Sequence, residues 1–253
     1  MFSASRQIFF GVSVLLFLVS AAFTIHLCSQ VMDGMPMPGG WTMSMTWMPA
    51  QNGPRAMLSF LGMWMTMMVA MMLPSLVPML WRTRQALGQK DAQHLDGLTA
   101  LVGTGYFLVW AAFGIAAYPI GVELAALTMQ YPALAQAVPA IIGAVILFTG
   151  VFQFTAFKSR HLACCRTALP GIASTGAFGA LRHGLRLGLH CVACCSNLTL
   201  LLLVAGLMDL RVMAFVTIAM AAERLAGEHV ARAIGVVVAA AGLLLILRAA
   251  GMA

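Results

Sequence analysis

Six methionines fall between residues 32 and 48, in the stretch "MDGMPMPGGWTMSMTWMP". Met32, Met35 and Met37 read M-x-x-M-x-M, and Met43, Met45 and Met48 read M-x-M-x-x-M. Thioethers are neutral, soft donors that choose Cu(I) over harder ions and are not lost to protonation. Such clusters suit the capture of monovalent copper in an oxidising compartment, where free thiols do not persist. Trp41 and Trp47 flank the second cluster and offer aromatic faces to a bound cation. The competing explanation is interfacial anchoring, with methionine and tryptophan resting on a membrane surface. Leucine and phenylalanine would anchor as well, and neither occurs between Met32 and Pro49.

The sulfur continues into "MLSFLGMWMTMMVAMMLPSLVPML", where Met63, Met67 and Met71 recur at i, i+4 and i+8 and share a helical face. Of the 20 methionines, 14 lie between Met32 and Met79. Ordinary packing in an apolar helix accounts for these residues too. A thioether ladder leading away from the loop is the sharper reading.

A second set of donors lies in "FKSRHLACCR" and "HGLRLGLHCVACC", which contain Cys164, Cys165, His183, His190, Cys191, Cys194 and Cys195. On a helix, His190 and Cys194 are i, i+4, as are Cys191 and Cys195, so one turn is expected to aim two thiolates and an imidazole at one centre. In a reducing compartment this pattern favours a metal site or thiol chemistry over a structural disulfide. Packing remains the alternative, because a lone buried cysteine behaves as a small hydrophobe.

The elements that must position these groups are membrane helices. The 253 residues are 62% hydrophobic and only 8% charged, with a mean hydropathy of +0.95. An all-α, polytopic transmembrane bundle of six or seven spans follows, forming a single integral membrane domain over residues 1–253. Apolar runs place helices at 8–28, 56–81, 98–120, 138–157, 188–208, 211–226 and 230–249. The 14 Lys and Arg residues gather at the ends of these runs, mostly on one side, which puts the N-terminus in the cytosol. The methionine loop, 29–55, then faces the periplasm or cell exterior. The Cys/His segment, 158–195, then lies on the cytosolic side of an inner (plasma) membrane. Apolar character continues through "FTIHLC", so the first segment reads as a retained helix rather than a cleaved signal. Around "GAFGALRHGLRLGLH" two forms compete, a helix lying on the membrane surface and a direct extension of the next span.

Several functions lose support. The net charge of +7 does not point to nucleic acid, since the basic residues cap apolar runs rather than form a stripe. Glu123, Asp209 and Glu223 all fall near span ends, so a proton-coupled transporter lacks its usual relay. No phosphate-binding glycine loop or Ser-His-Asp arrangement is present.

The runs "MPMPGGWTMSMTWMP", "FLGMWMTMMVAMMLPSLVPMLWR", "GLHCVACC" and the closing "AAERL" resemble the bacterial family of predicted metal-binding integral membrane proteins. Some of its members are copper-delivery partners of bacterial tyrosinases. The resemblance spans roughly residues 30–247 and implies copper binding and delivery without enzymatic turnover. Joined to the residue reading, the expectation is a membrane copper chaperone holding Cu(I), with the lipid bilayer and a copper enzyme such as a tyrosinase as partners. A Cu(I)-conducting transporter is the alternative. A membrane thiol oxidoreductase built on Cys164/Cys165 and Cys191/Cys194 is a third reading.

Overall fold

The computed structural model describes residues 2–30, 35–37, 40–43, 47, 53–86, 92–166, 176–207 and 209–251. They form eight helices: α1 Phe2–Gln30, α2 Pro54–Ala86, α3 Ala92–Gln130, α4 Pro132–Phe152, α5 Ala156–Arg166, α6 Ala177–Ala205, α7 Leu210–Ala226 and α8 Glu228–Ala249. A two-stranded hairpin, β1 Met35–Met37 and β2 Trp41–Met43, lies between α1 and α2. Among the described residues six helices are long and apolar enough to cross a membrane: α1, α2, α3, α4, α6 and α8. Their outward faces carry exposed Ile8, Leu15, Ile120, Phe148 and Val236, the apolar exterior expected of membrane-crossing helices. The chain is an all-α polytopic membrane bundle.

Helix α7, with 17 residues, is shorter than these six and stands outside them. The stretch between the expected spans 98–120 and 138–157 is mostly helix, because α3 continues to Gln130 through Pro119 and α4 starts at Pro132. One internal proline removes a single hydrogen bond, and neighbouring helices make that tolerable within a membrane bundle. Helix α6 starts at Ala177, eleven residues before the expected span, which settles the "GAFGALRHGLRLGLH" question in favour of a direct extension.

Glycine makes that extension possible. A Cβ placed on Gly184 would lie 2.1 Å from the Val102 carbonyl oxygen, and one on Gly188 would lie 2.8 Å from that of Tyr106. Helices α3 and α6 therefore run backbone against backbone, the close approach that small residues permit in membranes. The partners ascend together, Val102 with Gly184 and Tyr106 with Gly188, so the two helices are parallel. Helix α2 is antiparallel to α3, with Trp64 against Gly114 at one end and Arg84 paired with Asp96 at the other. On the far side α4 and α8 pack antiparallel through Gly143, Gly150, Gly235 and Gly242.

Candidate metal centre

The hairpin pairs Met35 with Met43 and Met37 with Trp41 in antiparallel register. Gly40, at φ 78, makes the turn in a left-handed conformation that an L side chain resists. Directly opposed residues share a sheet face, and alternation puts Met35, Met37, Trp41 and Met43 on the same one. The two methionine clusters are thus folded against each other. Trp41 donates its indole N–H to the Ala135 carbonyl of α4 at 2.9 Å, and Met43 is buried. Trp47 packs on Phe60 at 5.5 Å between ring centroids and fills the space a side chain on Gly121 would need. Both tryptophans fasten the loop to protein, so anchoring and sulfur chemistry coexist there. Met32, Met45 and Met48 lie outside the described residues.

Beneath the hairpin α2 buries Met67, Met68, Met71 and Met72, with Met63 half-buried above them. Met68, Met71 and Ser75 follow at i, i+3 and i+7 and form one stripe. The Ser75 hydroxyl accepts a hydrogen bond from Arg224 of α7 at 2.6 Å. On α7, buried Met213 and Met220 and half-buried Arg224 form an equivalent stripe. Methionine therefore lines α2 and α7 alike down to the level of Arg224.

There the second donor set begins, and the structure divides it. The guanidinium of Arg224 donates to the sulfurs of Cys191 and Cys195, the latter at 3.3 Å. The Tyr106 hydroxyl of α3 lies 2.9 Å from the Cys191 sulfur. Cys191 and Cys195 thus face α3 and α7. His190 and Cys194 occupy the neighbouring stripe of α6 and face α5 instead. Nδ1 of His190 lies 3.2 Å from Nδ1 of His161. A hydrogen bond joins the thiols of Cys194 and Cys165, and with Arg224 and Lys158 nearby it draws the Cys165 thiol below its usual pKa against the effect of burial. The two sides meet at the Cys194 and Cys195 sulfurs, 3.4 Å apart.

The expectation of one centre sharing His190 with Cys191 and Cys195 is therefore corrected. One residue of helix is a rotation of about 100°, so His190 turns to α5 while Cys191 turns to α7. Among the described residues no group of three His, Cys, Asp or Glu side chains is arranged to hold a metal ion. The donors come in pairs, a geometry that suits a two-coordinate soft cation. His183 is buried two turns before His190, about 10 Å along the helix, and belongs to neither pair. Cys164 is half-buried beside Cys165. The cysteines of α5 and α6 are all free, with Cys191 turned to α3 and α7 and Cys194 to α5.

Sequence reasoning missed the charged groups that hold this region together. Lys158, expected on a cytosolic loop, and Glu223, expected at a span end, are each only 1% exposed and form a 2.8 Å ion pair. Gln153 donates to the other Glu223 oxygen at 2.7 Å, and Lys158 also donates to Asn197 at 3.3 Å. The i, i+3, i+7 stripe Lys158, His161, Cys165 of α5 thereby meets Asn197, His190 and Cys194 of α6, one contact for each residue. His161 itself carried a readable signal, since it stands four residues before Cys165 just as His190 stands four before Cys194.

The sequence profile of the PpoB2 family, described as copper chaperone, matches residues 61–245. The chain belongs to this copper chaperone family. The PpoB2 match covers the buried methionines of α2 and both donor faces of α6, and begins after the hairpin. Searches of curated proteins and of solved structures return no match.

Proposed function

We propose that this PpoB2-family protein receives Cu(I) on the thioethers of Met32, Met35, Met37, Met43, Met45 and Met48, holds it on the thiols of α5 and α6, and delivers it to a copper protein. The observation that carries the reading is the meeting of Cys165, Cys194, Cys195 and Cys191 in one sulfur-rich region beneath a helix lined with methionine. Thiolates and thioethers select monovalent copper, and a chaperone needs sites that release it. Arg224 supplies the positive charge that thiolates require in a dry setting, and an arriving Cu(I) takes over that role. The hairpin end faces the cell exterior and the bundle lies in the inner membrane, as the charge distribution favours. A tyrosinase is the client that the family resemblance suggests.

The test is Cu(I) titration of purified protein against a chromophoric chelator. Changing Cys191, Cys194 and Cys195 to Ser and the six loop methionines to Leu is expected to abolish tight binding. Native stoichiometry in that variant would overturn the proposal.

A conducting role draws support from the continuity of Met67, Met68, Met71 and Met72 along α2. Under it, Met67→Leu with Met71→Leu stops copper flux into vesicles while chelator-measured binding persists. Absence of flux in the unaltered protein eliminates the conduit and leaves the chaperone.

A further inference from the structure

We infer that the seam between α5 and α6 is a two-step relay for Cu(I), in which His161 and His190 form an imidazole post one helical turn from the thiol post Cys165 and Cys194. The inference rests on the copper reading above and adds a ligand, His161, and a route.

Its geometry is a repeated rung. Helix α5 presents His161 and Cys165 at i, i+4, and helix α6 presents His190 and Cys194 at the same spacing. The imidazoles face each other through Nδ1 atoms 3.2 Å apart, and the thiols through a hydrogen bond. Four residues of helix advance about 6 Å, so an ion moves between posts in one short step. Two imidazole nitrogens at bonds of about 2 Å hold a two-coordinate ion when they stand about 4 Å apart. Parting the rings by less than 1 Å from the observed 3.2 Å reaches that spacing, and imidazole is an accepted copper ligand. Phe157 packs on the His161 ring at 4.4 Å and fixes its orientation.

Accessibility orders the posts. His161, His190 and Cys165 are all half-buried, and Cys194 alone of the four is fully buried at 0% exposure. The imidazole post is the one whose ligands both reach the surface, where copper exchanges with a carrier or client, and the thiol post is the one with a fully buried ligand. In the step, two Cu–S bonds are exchanged for two Cu–N bonds and copper stays monovalent, so no electron donor is needed. The proton lying between the empty Nδ1 atoms moves to Nε2 of its own ring, and the two freed thiolates take two protons from water to restore the hydrogen-bonded thiol pair.

X-ray absorption on the full-length protein, titrated with Cu(I) alone under reducing conditions, reads both posts. At low loading sulfur scattering is expected to dominate, and at saturation imidazole scattering should join it. His161→Gln and His190→Gln should each remove the imidazole signal and one equivalent of copper while leaving the sulfur signal intact. Unchanged imidazole scattering in either variant would sink the relay. Should a variant fold poorly, the wild-type protein still decides: copper is expected to protect both histidines from diethyl pyrocarbonate, and equal modification with and without copper overturns the post. Loss of sulfur scattering in the unaltered protein would instead refute the copper-holding function itself, so the two failures are distinguishable.

Discussion

Replacing Lys158 with methionine is expected to destabilise the folded bundle by about 3–5 kcal/mol, the cost of leaving one member of a buried ion pair without its partner. Glu223 would keep only Gln153 as a donor in a region where it is 1% exposed. Against a total stability on the order of 10 kcal/mol, such a loss is decisive. The double variant Lys158→Met/Glu223→Met should recover most of it, because removing both charges also removes the cost of keeping them dry. Reversible unfolding in mixed micelles measures the difference. A single variant within about 1 kcal/mol of the unaltered protein would show that water reaches the pair.

Changing Gly184 to valine is the second large effect, and it tests packing rather than charge. The new Cβ would fall 2.1 Å from a backbone oxygen of α3, an atom that no rotamer change can move aside. Helix α6 must separate from α3, and overpacking of this kind costs about 1–3 kcal/mol or more. The displacement also reaches the sulfur region, since Cys191 lies two turns further on and its contact with Tyr106 needs the same helix spacing. Low yield of monodisperse protein is expected, with weakened copper binding in whatever folds. Gly103→Val on α3 is the control, because nothing lies within 4 Å of that position. Equal behaviour of the two variants would mean that the close approach at Gly184 carries no structural weight.

Hydropathy made the bundle legible, and residue type marked the sulfur and imidazole donors. What it left hidden were boundaries and partners. Arg182, His183 and Arg186 make the start of α6 look like a surface segment, yet Gly184 and Gly188 four apart already carried the signature of a helix seated on another backbone. The span expected at 98–120 stops ten residues short of the end of α3 at Gln130. Lys158 and Arg224 counted as charges flanking spans, because nothing local distinguishes a flanking cation from one folded inward. Their partners lie far along the chain, Ser75 being 149 residues from Arg224. Donor pairing was hidden for the same reason. Adjacent residues on one helix were expected to act together, whereas α5 and α7 each claimed their own side of α6.

The unexpected reach of α3 bears on how a client meets this protein. Trp64 lies against Gly114 and α2 begins at Pro54, so by antiparallel register α3 overshoots the start of α2 by about 9 Å. Together with the first turn of α4, whose Ala135 carbonyl takes the Trp41 indole, it forms a ledge under the methionine hairpin. The hairpin is carried on this pier of protein rather than floating on lipid. A globular enzyme can therefore approach Met35 and Met37 from the side, without pressing its own surface into the headgroups.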